Sequence, residues 1–431
     1  MKNRLLFDYS CVLFSRLISG FSIVALSFYI ARVFGVLESG FFNFFWTVLL
    51  FLSVFSKFGY DYLSLKKIGV YASNLNFQKT NQFINTTFTW ILSICVLVFG
   101  IYYLITEFYQ FHSLIDAEDM KAISFAVYCL LPFTVVIYMS SILKGFQSKV
   151  SAYILDQGGI ALVFLIVIIF FQFNIYTDLL YIFLICCSII IFLSYNSVQY
   201  CFRKTFQRRW LFSLDVTAFK AKIKDSSNYF VLTLGEFSLY WSPILFISLF
   251  NDLFDTGVYS NMLRLSQIIV FSMAIINTLL APKLAFELHK EDIDLNNLIR
   301  ILKEAIKFNI YVGIPLLLFI VIVTPFALSF IGLNSFEYFW VILFLYSAQG
   351  IKLLNGPTIY VLTMSEDGST FSRKLAFLTL LLSIFLIPIC VYFYGLLGAS
   401  VSFFIITLVI NLYAAYKLNT SFGIIILSLL R

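Results

Sequence analysis

Charge is scarce in this sequence. Only 12% of its 431 residues are Asp, Glu, Lys or Arg, while 61% are hydrophobic. Soluble domains carry about 25% charged residues, so this chain lacks the polar surface that would keep it dispersed in water. Histidine is nearly absent, with His112 and His289 the two examples, both beside charged loops. That excludes a metal centre built on imidazole. The seven cysteines, Cys11, Cys95, Cys129, Cys186, Cys187, Cys201 and Cys390, lie in or at the edge of apolar runs without a CxxC spacing. They read as small core hydrophobes rather than disulfides or metal ligands. No cofactor-binding pattern and no nucleotide-binding motif appear, and the loops are too short to hold an ATPase domain. Short alternating strands of the β-barrel kind are missing as well. No small-residue cleavage site follows the first apolar run, which therefore reads as an uncleaved helix.

What is present is a series of long apolar runs. Twelve are legible, at about 9–30, 40–58, 84–106, 121–143, 151–173, 178–201, 226–250, 257–281, 305–324, 338–363, 374–394 and 396–416. Each approaches or exceeds the roughly 18 residues that mark a membrane-spanning helix. With the N-terminus set inside, alternation places 23 of the 29 basic residues in inside segments and only Arg32 and Lys121 outside. Cationic loops resist translocation, so this asymmetry predicts cytoplasmic N- and C-termini and supports an even number of spans. The net charge of +7 is then a topology signal, and nucleic acid is not an expected partner.

The organisation expected is two six-helix halves, 1–201 and 226–431, joined by a basic cytoplasmic linker at 202–225. Within the second half, 282–304 carries Leu284, Leu288, Leu295, Leu298 and Leu302 on roughly one helical face, predicting an amphipathic helix on the membrane surface. The halves echo each other. "ESGFF" (Glu38–Phe42) and "DTGVY" (Asp255–Tyr259) share acid, hydroxyl, glycine, apolar and aromatic in order, with Ser39 and Thr256 as candidate N-caps.

Seven charges fall within or at the rim of the spans: Arg16, Lys57, Asp61, Asp156, Glu236, Arg264 and Lys352. A charge at the bilayer centre costs about 2.5–3.5 kcal/mol on insertion scales, so such residues face water or a partner. Lys57 and Asp61 lie near a helix end and are expected to snorkel to the interface. Arg16, Arg264 and Lys352 give a cationic excess over Glu236 at depth. That excess points either to a structural ion pair or to a hydrated cavity for an anion such as phosphate or pyrophosphate. Glu236 and Asp156 are candidates for ion coupling or counter-charge. Pro243, Gly356 and Pro357 are candidate hinges, because proline removes a backbone hydrogen bond and "KLLNGP" concentrates helix breakers beside Lys352.

Five segments resemble a known family: "ARVFGVLESGFFNF", "FGYDYLSLKKIG", "DTGVYSNMLRLSQ", "APKLA" and "YGLLGAS". They resemble the polysaccharide-transport family, the Wzx-type flippases. The larger group also holds the multidrug (MATE) exporters and the lipid II flippase. The resemblance implies an all-α membrane protein of twelve transmembrane helices, in two pseudo-symmetric lobes set in a V around a central cavity. It implies a bacterial inner membrane, with an undecaprenyl-pyrophosphate-linked oligosaccharide of O-antigen or capsule type as cargo. Membrane lipids and the polymerase and chain-length regulator of the same pathway are the partners it implies. It also implies a cavity lined by cations, with Arg16 and Arg264 on the helices where they are expected. A multidrug exporter of the same fold is the alternative, and an O-antigen polymerase a weaker one.

Overall fold

The computed structural model describes residues 2–108, 117–171, 175–215, 219–270, 273, 295–365 and 368–425. All regular structure among them is helical. The chain packs as two units, Met1–Thr233 and Leu234–Arg431, so the division falls within a helix rather than in the basic segment before it.

The first unit holds α1 (Lys2–Val33), α2 (Val36–Lys57), α3 (Tyr60–Ser73), α4 (Phe77–Phe108), α5 (Ala117–Gly145), α6 (Lys149–Ile154), α7 (Gln157–Phe170), α8 (Ile175–Phe206) and the start of α9 (Phe219–Tyr240). Its centre is α2. The "FFNFFW" run places Phe41, Phe42, Phe45 and Trp46 in full burial. Phe42 stacks on Phe164 of α7 at 5.7 Å, while Phe45 and Trp46 meet Phe183 of α8 edge-on. Aromatic pairs of this geometry add about 0.5–1.5 kcal/mol each beyond the area they bury. By contrast α4 lies at the margin, with only 17% of its most apolar window covered by protein against 83% for α2.

Sequence periodicity missed α3. Phe58 and Gly59 both take positive φ, 45° and 76°, and turn the chain out of α2 directly into α3. The polar face of α3 hid its packing face, which consists of Tyr60, Leu63, Ser64 and Ile68. Lys57 and Asp61 flank this corner. They do not snorkel: their side chains form a 3.1 Å ion pair at 7% and 13% exposure.

The expected single span at 151–173 is broken. α6 stops at Ile154, and Asp156 caps α7 by accepting from the Gln157 N–H at 2.8 Å. Its other carboxylate oxygen takes Lys144 of α5 at 2.7 Å. Gly158 then lets α1 approach α7. A Cβ there would stand 1.8 Å from Ser19 Oγ and 2.6 Å from Ser19 Cα, so only hydrogen fits.

The stretch after α8 is docked rather than loose. Trp210 is buried and exchanges two 3.0 Å backbone bonds with the Gln199 side chain. Its indole donates to Asn85 of α4, which in turn donates to the Leu211 carbonyl. Further along, the start of α9 stacks Phe230 on Phe58 at 4.5 Å and Tyr229 on Tyr62.

The second unit holds the rest of α9, α10 (Ser242–Phe250), α11 (Leu253–Ile268), α12 (Leu295–Phe308), a wider π-helical turn (Asn309–Gly313), α13 (Ile314–Phe330), α14 (Phe339–Asn355), α15 (Thr358–Met364) and α16 (Gly368–Phe422). The pair α9 and α10 bends by 50° at Trp241, just before Pro243. α14 and α15 part at Gly356, whose φ of 60° suits glycine. α16 is two helices joined at Gly395, with φ 51° and ψ −130°. The expected caps are corrected too. Asp252, not Thr256, caps α11 by accepting from the Asp255 N–H, and α2 starts at Gly35 without a side-chain cap. Ser39 and Thr256 are instead fully buried inside their helices.

Of the expected surface helix at 282–304, residues 282–294 lie outside the described residues, as do the end of the 257–281 run, His112 and His289. The described part, α12, buries Leu298 and Leu302 with Ile301, Ala305 and Ile306 against Val361, Leu362, Phe371, Ala414 and Leu418. Its apolar face is therefore covered by protein and not by a membrane surface. α12 also runs on through the π turn into α13, giving one apolar helical stretch from Leu295 to Phe330.

Among the described residues, seven helices are long and apolar enough to cross a membrane, or eight if the bent pair is one span. Twelve unbroken spans are not seen. The breaks at Leu155–Asp156 and Gly356–Pro357 shorten individual helices, and the junction at Gly395 merges two. The number and apolarity of these helices make the chain a multi-pass membrane protein.

Two stability outcomes follow from these contacts. Gly158→Val should lower the detergent melting temperature, overpacking costing about 1–3 kcal/mol. Gly100→Ala, where nothing lies within 4 Å, should leave it unchanged or slightly higher. Equal melting of Gly158→Val and wild type would contradict the close approach of α1 and α7. Lys144→Met alone should cost about 3–5 kcal/mol by stranding Asp156, and the double variant Lys144→Met/Asp156→Leu should recover most of it. A double variant no more stable than the single one would show that the pair is not what links α5 to the α6–α7 break.

Candidate functional site

Apart from the Lys57–Asp61 pair, the charges singled out in the sequence fall around the α6–α7 break in the first unit and on α9, α11 and α14 in the second. In the first unit, Arg16 of α1 donates from Nη2 to the Tyr153 hydroxyl. Its guanidinium carbon also stands 4.3 Å from the Tyr153 ring centroid. Lys144 approaches the same ring at 5.5 Å while its Nζ bonds Asp156. Tyr153 is thus flanked by two cations, of which Lys144 is paired with Asp156. A ring face is attracted to a cation by its quadrupole, about 0.5–1 kcal/mol when exposed and about 2 when desolvated. The cluster exists because α6 ends at Ile154. That break puts Tyr153, on the last turn of α6, and Asp156, at the cap of α7, beside α1 and α5.

In the second unit, Lys352 lies on the last turn of α14, half-buried. Its Nζ donates to the Tyr240 hydroxyl at 2.8 Å and stands 4.6 Å from the Tyr240 ring and 4.9 Å from the Phe403 ring. The two rings contact each other at 5.8 Å. Among the described residues, no carboxylate lies within ion-pair distance of Lys352. Tyr240 is the last residue of α9 before the bend at Trp241. The Lys352 carbonyl accepts from the Gly356 N–H at 3.1 Å, at the next break. One ammonium therefore connects two interrupted helices.

The remaining expected residues lie on elements of the same unit. Glu236 is exposed on its own unit and lies one helical turn before Tyr240, hence on the same face of α9. Arg264 is buried in α11 at 3% exposure. Two residues further along α11, Ser266 accepts from Gln349 of α14 at 3.2 Å, so α11 and α14 pack at this level. Gly356 has Ile306 and the Asn309 side chain beside it, and Asn355 reaches Asn411 at 2.8 Å. The candidate hinges Pro243, Gly356 and Pro357 thus coincide with real interruptions, and Pro243 occupies the first turn of α10, where its missing N–H has no helical partner to lose.

Sequence reasoning missed Tyr153, Tyr240, Phe403 and Lys144. Two signals pointed to them. Tyr240 is four residues after Glu236 and directly precedes the Trp241–Pro243 breaker. Lys144 sits at the end of a span, where it reads only as a topology marker. Among the described residues, no group of three or more His, Cys, Asp or Glu side chains converges as a metal site would require. The "FFNFFW" aromatics of α2 are core and are not available to stack on a ligand.

No protein-family model matches the sequence, and no curated protein does. Solved structures do match in three dimensions. The MATE multidrug transporter DinF-BH, solved as a complex, superposes with a TM-score of 0.65 at 14% identity, over 97% of this chain and 95% of that one. The lipid II flippase MurJ, in an inward closed conformation, gives 0.65 at 13% identity over 99% and 91%. A MATE-family multidrug resistance transporter of the MOP superfamily, inward-facing, gives 0.57 at 12% identity over 93% and 95%. The chain therefore has the fold that MATE multidrug transporters share with the lipid II flippase.

Proposed function

We propose that this protein is a flippase. It carries an undecaprenyl-pyrophosphate-linked oligosaccharide repeat unit, of O-antigen or capsule type, across the bacterial inner membrane by alternating access. Its cations bind the pyrophosphate. The observation that carries the reading is Lys352: an ammonium held by a hydroxyl and two ring faces, with no carboxylate among the described residues to neutralise it. A ligand phosphate can meet that charge without first displacing an acid. Arg16, held on the Tyr153 ring and hydroxyl, is a second cation in the other unit, and the buried Arg264 is a third. Arginine suits phosphate because its planar fork bonds two oxygens. The likeness of the fold to a lipid II flippase supports a lipid-linked cargo.

In this mechanism the lipid tail stays in the bilayer while sugar and pyrophosphate leave the water and meet the cations. The phosphates would otherwise bear the full penalty of unpaired charge away from water. Tyr240 and Phe403 hold the Lys352 head in place and offer ring faces to a sugar. The bend at Trp241 and the break at Gly356–Pro357 are where the second lobe flexes. An inside-negative potential favours export of an anion by about 2.3 kcal/mol per charge per 100 mV. Glu236, on the face of Tyr240, supplies proton or sodium coupling, or a counter-charge that releases the cargo. Asp156 is committed to Lys144 and to the α7 cap, which makes it the weaker coupling candidate.

A second reading, a multidrug exporter, draws on the fold of DinF-BH and on the exposed acid Glu236. Purified protein in vesicles, loaded with labelled undecaprenyl-pyrophosphate oligosaccharide, separates the two. Wild type should bring the label to the opposite leaflet. Lys352→Met should lose at least about tenfold in rate, as expected when one buried charged partner is removed, and Lys352→Arg should retain part. Glu236→Gln should slow transport while leaving the affinity for the cargo unchanged. Transport of cationic dyes without transport of the oligosaccharide would replace the flippase reading with the exporter. Full activity in Lys352→Met would remove Lys352 from the site.

A further inference from the structure

A groove of about 890 Å³ opens on the first unit between α1, α6 and α8, on residues other than the charged clusters described above. That volume lies in the roughly 300–1,000 Å³ range of small-molecule sites. Its lining is unusual for a lipid-facing surface. Upstream of it the exposed residues of α8 from Tyr181 to Phe192 are Tyr181, Ile185, Ile189 and Phe192, with Ser188 the one polar member, its hydroxyl taken by the Leu184 carbonyl. At the groove the helix changes character. Leu193, Asn196, Ser197 and Tyr200 line it, and Arg203 and Lys204 follow on the same face one turn further, both exposed. Opposite them stand Ser148 and Ser151, linked hydroxyl to hydroxyl at 2.5 Å, with Ile154 and Leu155 as the apolar part.

Along α8 the face runs from aliphatic to amide and hydroxyl, then to a phenol, then to two cations. A phospholipid has a like order: acyl chain, ester and glycerol, phosphate. The Asn196 amide donates to the Phe192 carbonyl, the Ser197 hydroxyl to that of Leu193, and Ser148 and Ser151 bond each other, so these groups still offer oxygen acceptors, which a bare isoprenoid tail would leave against hydrocarbon. A zwitterionic lipid would leave the two cations without a net opposite charge. Basic pockets between helices at a membrane surface bind anionic headgroups for this reason. We propose that the groove seats one anionic phospholipid, its phosphodiester against Arg203 and Lys204 and its ester region against the amide and hydroxyl groups. Ile154 and Leu155 adjoin Tyr153 and Asp156, so the occupant touches the α6–α7 break and steadies the Arg16–Tyr153 contact.

The test is native mass spectrometry of the full chain, released from detergent after titration with phosphatidylglycerol or phosphatidylcholine. Wild type should retain one phosphatidylglycerol with a preference of about tenfold over phosphatidylcholine. Arg203→Gln/Lys204→Gln should bring that preference close to parity. Ser197→Trp, which fills the groove without changing charge, should abolish retention of the single lipid. Arg208→Gln/Arg209→Gln removes two charges beyond the groove and should keep the preference. The proposal is overturned if wild type retains both lipids alike, if the preference survives in Arg203→Gln/Lys204→Gln, or if both double variants lose it equally. It is also overturned if the retained molecule is a polyprenyl pyrophosphate.

Discussion

A cation on a helix that crosses lipid has to be given something to hold. Lys352, Arg16 and Lys144 all answer this with a tyrosine ring, and Lys144 adds a carboxylate. The choice matters because the two kinds of partner leave different net charges. A carboxylate cancels the cation, and the pair can be sealed in the interior. A ring lowers the cost of desolvation yet leaves the full positive charge in place. Around Lys144 the protein has chosen cancellation, and the pair acts as a structural link between α5 and the α6–α7 break. Around Lys352 it has chosen the ring.

Charge or its partner and helix interruption coincide at three places among the described residues. Asp156 caps the helix that begins where α6 ends, Lys352 sits one turn before Gly356, and Tyr240 sits at the bend of α9 and α10. This is a consequence of the solvent. Backbone groups freed by a break cannot be left facing hydrocarbon, so breaks occur where protein or water can meet them. The same places are where a charge is cheapest to keep. Helix breaks and charged side chains are therefore neighbours at Lys352–Gly356 and at Lys144–Asp156.

The distribution of legible and illegible features has the same origin. Composition alone declares the membrane class, because the hydrocarbon core demands long apolar runs. Arg16, Arg264 and Lys352 stand out for the complementary reason, as exceptions to that demand. Pro243 and Gly356–Pro357 were visible because their chemistry breaks helices wherever they occur. The break at Leu155–Asp156 was not, since it contains neither proline nor glycine and depends on Asp156 capping and on Lys144 from another helix. α3 was hidden because its buried face is short and partly polar. The pairings of cation with ring were beyond reach, whatever marked a single residue: Tyr153 lies 137 residues from Arg16, and Tyr240 lies 112 residues from Lys352. Such pairings are set by helix packing, which one-dimensional periodicity does not contain.

A shared fold does not by itself distinguish an exporter of cationic drugs from a flippase of anionic lipid carriers. The distinction has to come from the sign and availability of charge at depth. An exporter of cations needs acids that can give up a proton or meet a positive ligand, and the exposed Glu236 is one such group. For an anionic cargo the requirement is a cation not already bound to an acid, because displacing an internal carboxylate would cost about as much as the new phosphate contact returns. Lys352 meets that requirement among the described residues. Glu236 lies one turn from Tyr240 on the same face of α9. In the proposed reading Lys352 binds the phosphate, and Glu236 serves the transport step rather than the binding step.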